Sequence, residues 1–251
     1  MDRIRQQKMA DSQAALWLLG QAGCVVRSAG ITAVIDPYLT DSVGASAPDF
    51  TRLFPAPIAP EHLEADLFVV THDHADHLDP ETIRRYRHGT TTDFIAPHLA
   101  AGKLRALDIS AGRIHAVGAG EAITLRGVEI RGTYAVPTGP DVLDTTGYVL
   151  TFPNGRSLYH SADTGFSPLL LKAAPRAEVL LVAINGKWGN LDAGQAVELA
   201  SAVRPRFVIP NHYDLMALNS ENPETFRFLC RDGNLAARCV IPAVMEAFVW
   251  G

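Results

Sequence analysis

Three histidines and two aspartates lie within six consecutive residues, His72–His77, directly after the apolar run Leu67–Val70. In extended backbone His72 and His74 point to the same side, which suits two ligands of one metal ion. Asp76 and His77 come next, where the chain turns towards a helix, so we expect them to face a second ion nearby. The alternative, a polar loop without a metal, would desolvate the histidines at a cost. The run therefore predicts a metal site.

Two further polar clusters also follow apolar runs, Tyr159–Thr164 and Val208–Asp214. Within the first, the two oxygens of Asp163 could bridge two ions, although a lone carboxylate after a strand is usually a turn or helix cap. Within the second, a lone His212 is more often structural than a ligand. Because α/β sheets place ligands at the carboxyl ends of their strands, the three clusters together predict one site.

The elements that must position these residues are short strands interspersed with helices. Apolar runs separated by Gly, Pro, Asp and Asn predict the strands. Asp79-Pro80 and Asp192 with Gln195 predict two helix starts. The pattern indicates an α/β layered protein with two sheets and a single domain over 1–251. We expect 1–13 to be a loosely attached terminus and Ala47–Pro60 to be a long loop bordering the site.

Composition limits the class of partner. The chain has 251 residues, 22 Lys+Arg and 27 Asp+Glu, giving a net charge of −5. This balance argues against nucleic acid as a partner, and no apolar run is long enough to cross a membrane. The start lacks the apolar segment of a secretory signal, and three cysteines are too few for a disulfide scaffold. These features predict a cytoplasmic protein acting on a small molecule, with homo-oligomerisation left open.

The H-x-H-x-D-H run resembles the signature of the metallo-β-lactamase fold hydrolases. Four further segments resemble the branch that contains L-ascorbate-6-phosphate lactonase: Trp17–Gly23, Ile35–Tyr38, Tyr159–Thr164 and Val208–Asp214. Gly186–Leu191 is similar to a loop of its uncharacterised relatives. The resemblance implies a four-layer αβ/βα sandwich with its metal site at one edge.

Ligand positions carry over from the resemblance motif by motif. His72 and His74 correspond to the first metal position, and Asp76 and His77 correspond to the second. Asp163 corresponds to the aspartate that bridges the two ions. The last histidine of the second position corresponds to His212.

The sequence departs from the family at one ligand. Most members supply a third histidine to the first metal, but no histidine occurs between Val128 and Tyr159. Asp141, Asp144 or water are the candidates to replace it. We therefore expect the second position to be the stronger one and the site to hold one or two ions. Histidines and carboxylates without a thiolate fit zinc or manganese.

Several residues are candidates for the reaction itself. A metal-activated water would attack the substrate near Asp163 and Asp76, and Asp73 is either a general acid or a partner that holds a histidine. The candidate substrate contacts are all polar residues near strand ends, and a structural role is the alternative for each: Lys187, Asn190, Tyr38 and His160.

Three functions compete. The first is a metal-dependent hydrolase of a lactone, for example a sugar lactone or its phosphate. The second is a phosphodiesterase of the same fold. The third is a non-catalytic ligand-binding protein that has lost its first metal, as the missing histidine suggests.

Overall fold

Fourteen strands and seven α-helices make up the computed structural model, which describes residues 1–251. The strands are β1 Ala14–Gly20, β2 Gly23–Ser28, β3 Ile31–Ile35, β4 Leu67–Val69, β5 Asp93–Ala96, β6 Ile114–Ala116, β7 Ala122–Leu125, β8 Val128–Tyr134, β9 Thr146–Thr151, β10 Ser157–His160, β11 Val179–Ala183, β12 Phe207–Asn211, β13 Arg238–Cys239 and β14 Phe248–Trp250. The helices are α1 Asp2–Gln6, α2 Ser42–Ser46, α3 Pro80–Arg85, α4 His98–Ala106, α5 Pro168–Lys172, α6 Ala193–Val203 and α7 Pro223–Asp232. None of the helices is long and apolar enough to cross a membrane.

The strands form two mixed sheets of seven. The first sheet has the order β14-β1-β2-β3-β4-β5-β6, and the second has the order β13-β12-β11-β10-β9-β8-β7. In the first sheet the pairs from β3 to β6 are parallel, and in the second the pairs from β10 to β13 are parallel. The parallel pairs align the carboxyl ends of neighbouring strands along one edge of each sheet.

Three apolar layers hold the sheets and helices together. Alternate residues of β1 point to opposite faces, so Leu16 packs between the two sheets and Trp17 packs under the helices of the first sheet. Helices α3 and α4 cover the first sheet through Ile83 and Leu104. Helices α5, α6 and α7 cover the outer face of the second sheet. The predicted αβ/βα sandwich is therefore confirmed.

The amino terminus is attached more firmly than the sequence suggests. The side chain of Ile4 is fully buried in the layer beneath the first sheet. The guanidinium of Arg27 donates to the carbonyl oxygens of Ile4 and Arg5, and the side chain of Arg5 pairs with Glu64 at 2.9 Å. The expectation of a loose terminus over 1–13 is thus corrected, because one apolar side chain and three arginine contacts hold α1.

The loop over 47–60 packs against the segment that follows β12. Arg52 pairs with Met216 in an isolated antiparallel bridge, and the amide of Leu53 donates to the carbonyl of Leu215 at 2.8 Å. Phe50 lies against Trp188, with ring centroids 5.6 Å apart. The loop therefore forms a wall beside the polar ends of the strands, in line with the prediction that it borders the site.

Replacing Ile4 by alanine tests the attachment of the terminus. We expect Ile4→Ala to lower the free energy of unfolding by about 2–4 kcal/mol, because it removes a fully buried side chain. Chemical denaturation measures the change, and the exposed neighbour substitution Arg3→Ala serves as control. Equal stability of the two variants would show that α1 contributes no packing.

Candidate metal centre

Four side chains from three strand ends bring their donor atoms together. Oδ1 of Asp163 lies 3.1 Å from Nε2 of His212 and 3.4 Å from Nε2 of His77. The two Nε2 atoms lie 3.3 Å apart. Oδ2 of Asp76 lies 3.7 Å from each of them. We call these four side chains the four-donor cluster.

The backbone around the four-donor cluster turns sharply where each strand ends. Four residues near the cluster adopt the left-handed region, which side chains other than glycine rarely adopt. Their φ values are 51° for Gln21, 44° for Asp36, 62° for Ala162 and 62° for His212. Strained backbone of this kind concentrates at functional sites, where surrounding contacts hold it.

Asp36 orients one histidine of the cluster. Its carboxylate is fully buried and accepts from the amide of Thr71 at 2.8 Å and from the hydroxyl of Thr71 at 2.5 Å. It also lies 2.7 Å from Nδ1 of His77. Because Nδ1 donates to this carboxylate, the lone pair of Nε2 faces the cluster.

His72 is oriented by the same network. The hydroxyl of Thr71 donates a hydrogen bond to Asp36. The hydroxyl oxygen of Thr71 therefore accepts from Nδ1 of His72 at 3.1 Å. The Nε2 atom of His72 is then an acceptor, and it is buried without a hydrogen-bond partner. Oδ1 of Asp163 likewise has no hydrogen-bond partner. Buried acceptors without donors are costly unless a cation occupies the space between them.

Three amides hold the other members of the cluster. Gln21 donates to Oδ2 of Asp76 at 2.9 Å, and Asn190 donates to Oδ2 of Asp163 at 2.8 Å. The amide group of Asn219 lies 3.0 Å from Nδ1 of His212. For Asp163 and His212 the held atom is opposite the donor atom that faces the cluster, whereas Oδ2 of Asp76 both accepts from Gln21 and faces the cluster.

Mutual electrostatics set the charges of the cluster. Burial opposes the charged form of His77, but the carboxylates of Asp163, Asp76 and Asp36 raise its pKa well above the ordinary value. Burial also opposes ionisation of Asp163, yet the two neighbouring histidines hold its pKa well below the usual range. Burial, aided by His77, lowers the pKa of His72 well below the ordinary value. Asp163 therefore stays ionised and His72 stays neutral, which are the forms that bind metal, whereas the raised pKa of His77 keeps that ring protonated until an ion displaces the proton from Nε2.

The geometry of the cluster fits a divalent ion. Ligands at about 2.1 Å from a tetrahedral ion lie about 3.4 Å from one another. The separations given above, 3.1–3.7 Å, lie around that value and cover every pair except Asp76 with Asp163. Two groups of three residues have donor atoms within 4.8 Å of one another: Asp76, His77 and His212 form one, and His72, His77 and Asp163 form the other. The donor set is oxygen and nitrogen throughout, without sulfur.

Asp141 takes the place nearest to His74. Its Oδ2 lies 3.3 Å from Nε2 of His74 across the opening of the site. Asp144, the other candidate, instead accepts from the amide of Leu99 at 2.8 Å, in the first turn of α4. Of the two aspartates, only Asp141 is therefore placed where the missing histidine would act.

Two sequence candidates lie away from the cluster and are corrected. The carboxylate of Asp73 pairs with Nζ of Lys103 at 2.7 Å and contacts no histidine. Tyr38 is buried, and its hydroxyl accepts from the amide of Val43 at 3.1 Å, so it supports the loop after β3. Burial raises the pKa of Tyr38 to about 12.

Three further candidates also have contacts within the protein. His160 is buried; its Nε2 lies 2.9 Å from the carbonyl of Ala22, and its Nδ1 accepts from the amide of Ala162. Nζ of Lys187 donates to the carbonyl of Ser220 at 2.7 Å. Asn190, described above, orients Asp163. These contacts indicate supporting roles for the three residues, and their contact with substrate stays a prediction.

A cavity of about 520 Å³ opens onto the cluster. Asp76, Asp163 and His212 contribute to its inner wall, and His74 and Asp141 lie on another part of the lining. The remaining wall is largely apolar, and neither lysine nor arginine contributes to it. A ligand in this cavity would therefore meet three carboxylates and no protein cation.

Comparison with known proteins agrees with the fold. The family model for the beta-lactamase superfamily domain matches residues 32–213. A UPF0173 metal-dependent hydrolase of Thermoplasma acidophilum is 29% identical over 84% of this chain and 88% of its own. One from Methanosarcina barkeri is 31% identical over 68% of this chain and 76% of its own. The structure of Igni18, a metallo hydrolase from Ignicoccus hospitalis, has a TM-score of 0.76 at 23% identity and covers 95% of this chain and 99% of that one.

The chain belongs to the metallo-β-lactamase superfamily. Within that superfamily it is a member of the UPF0173 metal-dependent hydrolase family. The resemblance to the branch that contains L-ascorbate-6-phosphate lactonase stays a prediction.

Sequence reasoning missed the residues that orient the cluster. Asp36, Gln21 and Asn219 are single polar residues, far along the chain from the histidine run. A carboxylate directly after the apolar run of β3 was the one available signal for Asp36. No comparable pattern marks Asn219.

Replacing Asp36 tests how far the cluster depends on its orientation. We expect Asp36→Asn to lower metal affinity by about 10- to 100-fold, because His77 loses the carboxylate that orients it. Competition with a chromogenic chelator measures the affinity. Asp66→Asn is the matched control: Asp66 also accepts a backbone hydrogen bond, from the amide of Thr32, but contacts none of the cluster. Unchanged affinity in Asp36→Asn would contradict the role assigned to the carboxylate.

Proposed function

We propose that this protein hydrolyses a small, uncharged carbonyl substrate, with a lactone as the representative type. The four-donor cluster carries the proposal, since its donor atoms lie at ligand spacing and three of its residues, Asp76, Asp163 and His212, line a cavity. Asp76, His77, Asp163 and His212 would hold the more tightly bound ion. A second ion would lie between His72, His74 and Asp141.

The chemistry divides between the ion and the chain. When bound, a divalent zinc or manganese ion lowers the pKa of water and polarises an electrophilic centre. The chain's own contribution is orientation: Asp36 and Asn190 hold ligand side chains from behind, and Gln21 donates to the Asp76 oxygen that faces the cluster. The apolar part of the cavity wall excludes bulk water from the substrate, which strengthens electrostatic interactions there.

The charges of the cavity favour an uncharged substrate over a phosphate ester. A phosphate group needs cationic or amide donors, and Arg or Lys commonly supplies them. Neither Arg52 nor Lys187 lines the cavity: Nη1 of Arg52 donates to the carbonyl of Tyr38 at 2.6 Å, and Nζ of Lys187 donates to the carbonyl of Ser220. A phosphate substituent on a lactone, away from the ions, would therefore meet no lysine or arginine. The lining supports a sugar lactone or simpler lactone over its phosphate.

Metal reconstitution with two aspartate variants tests the proposal. We expect wild-type protein loaded with zinc or manganese to hydrolyse γ-butyrolactone, measured by proton release. Asp163→Asn should lower kcat by at least about 100-fold and reduce metal content, because a ligand of the cluster is lost. Asp141→Asn should weaken only the second ion, so that elemental analysis finds about one ion per chain.

Asp144→Asn is the matched control, since Asp144 lies on the same loop as Asp141 but contacts α4. It should retain both activity and metal content. Unchanged metal content and hydrolysis in Asp163→Asn would contradict the proposal. Bound metal without hydrolysis of any lactone would instead support the ligand-binding alternative.

A further inference from the structure

Trp188 lies at the rim of the cavity, and the stability of the fold explains neither its exposure nor its backbone conformation. Trp188 is 58% exposed, although tryptophan is usually well buried. Its φ of 57° is in the left-handed region, which is unfavourable for a bulky residue. The fold thus holds a strained, exposed tryptophan at the entrance to the four-donor cluster. Strain of this kind accompanies ligand clamps more often than packing.

Neighbouring contacts fix the position of Trp188. The next residue, Gly189, lies so near the backbone of Thr138 that a Cβ atom on Gly189 would come within 2.5 Å of the Thr138 carbonyl oxygen. Lys187, just before it, is tied to Ser220, and Asn190, just after it, holds Asp163. The indole is therefore presented from an anchored loop at a set distance from the cluster.

The indole is part of a continuous apolar wall. Its ring lies 5.6 Å from that of Phe50, with a tilt of 52° between the planes. Six apolar side chains in all line the same cavity: Val43, Ala47, Phe50, Pro140, Trp188 and Met216. These side chains surround an opening whose polar residues, apart from Thr138, are candidate ligands or their supports. An apolar group placed here would lose water from both surfaces.

We infer that Phe50 and Trp188 form a seat for an apolar substituent, aryl or alkyl, carried by the lactone or ester that is hydrolysed. The inference rests on the proposed function and adds the substrate class to it. An anionic substituent placed in this seat would meet apolar side chains and no lysine or arginine. Specificity then comes from the aromatic pair, while hydrolysis comes from the cluster.

The test compares a substituted and an unsubstituted lactone. Metal-loaded wild type should hydrolyse γ-phenyl-γ-butyrolactone with kcat/KM at least about tenfold above that for γ-butyrolactone, since a pocket that accepts an added apolar group gains about 10- to 200-fold. Trp188→Ala should remove most of that preference, lowering kcat/KM for the phenyl lactone at least about fivefold more than kcat/KM for γ-butyrolactone. Trp188→Phe should retain most of it. Phe228→Ala is the control, because Phe228 is an exposed aromatic residue on α7 outside the cavity.

A binding measurement separates this inference from the proposed function. Calorimetry with the corresponding lactams, which resist hydrolysis, should show tighter binding of the phenyl lactam, lost in Trp188→Ala. If that binding is present but no lactone is cleaved, the proposed function fails and the aromatic seat stands. Equal binding of the two lactams, or a Trp188→Ala variant that lowers kcat/KM equally for both lactones, would overturn the seat. Preference for gluconolactone 6-phosphate over gluconolactone would overturn it as well.

Discussion

The carboxylate of Asp36 joins two strand ends and two histidines through three hydrogen bonds. It accepts from the amide and hydroxyl of Thr71 and from Nδ1 of His77, and the Thr71 hydroxyl in turn accepts from His72. The network is fully buried, and a buried polar group without a hydrogen bond lowers stability by about 1–3 kcal/mol. Each ring therefore has one permitted tautomer, and Nε2 of both rings is directed towards the same small volume. The geometry of the candidate metal centre depends on these hydrogen bonds of Asp36 and Thr71.

The sandwich supplies the remaining geometry. Parallel pairing in each sheet places the ends of β3 and β4, and those of β10 and β12, at one edge of the molecule. Facing sheets then bring Asp163 and His212 opposite His77. Apolar side chains pack on both faces of the strands, so the polar side chains of the site follow the last paired residue of each strand. The substrate cavity lies where those segments leave the sheets, and its loops carry Phe50 and Trp188.

Local pattern predicted the ligands better than their supports. The histidine run and Asp163 follow strands whose apolar content is unmistakable, and Asp192 with Gln195 forms the predicted capping box. The short helices α2 and α5 were missed, because five residues carry little periodicity. Tyr38 was misassigned since a polar side chain after a strand can serve a buried backbone group as well as a substrate. Asp36 could not be paired with His77 because only the parallel contact of β3 with β4 joins them.

An anomalous-scattering map of the metal-loaded crystal would show directly whether the four-donor cluster holds an ion. We expect a zinc or manganese peak about 2.0–2.3 Å from the donor atoms of Asp76, His77, Asp163 and His212. A weaker peak should lie beside His72, His74 and Asp141. A strong peak at the His72 position with none inside the four-donor cluster, or no peak at either position, would contradict the account.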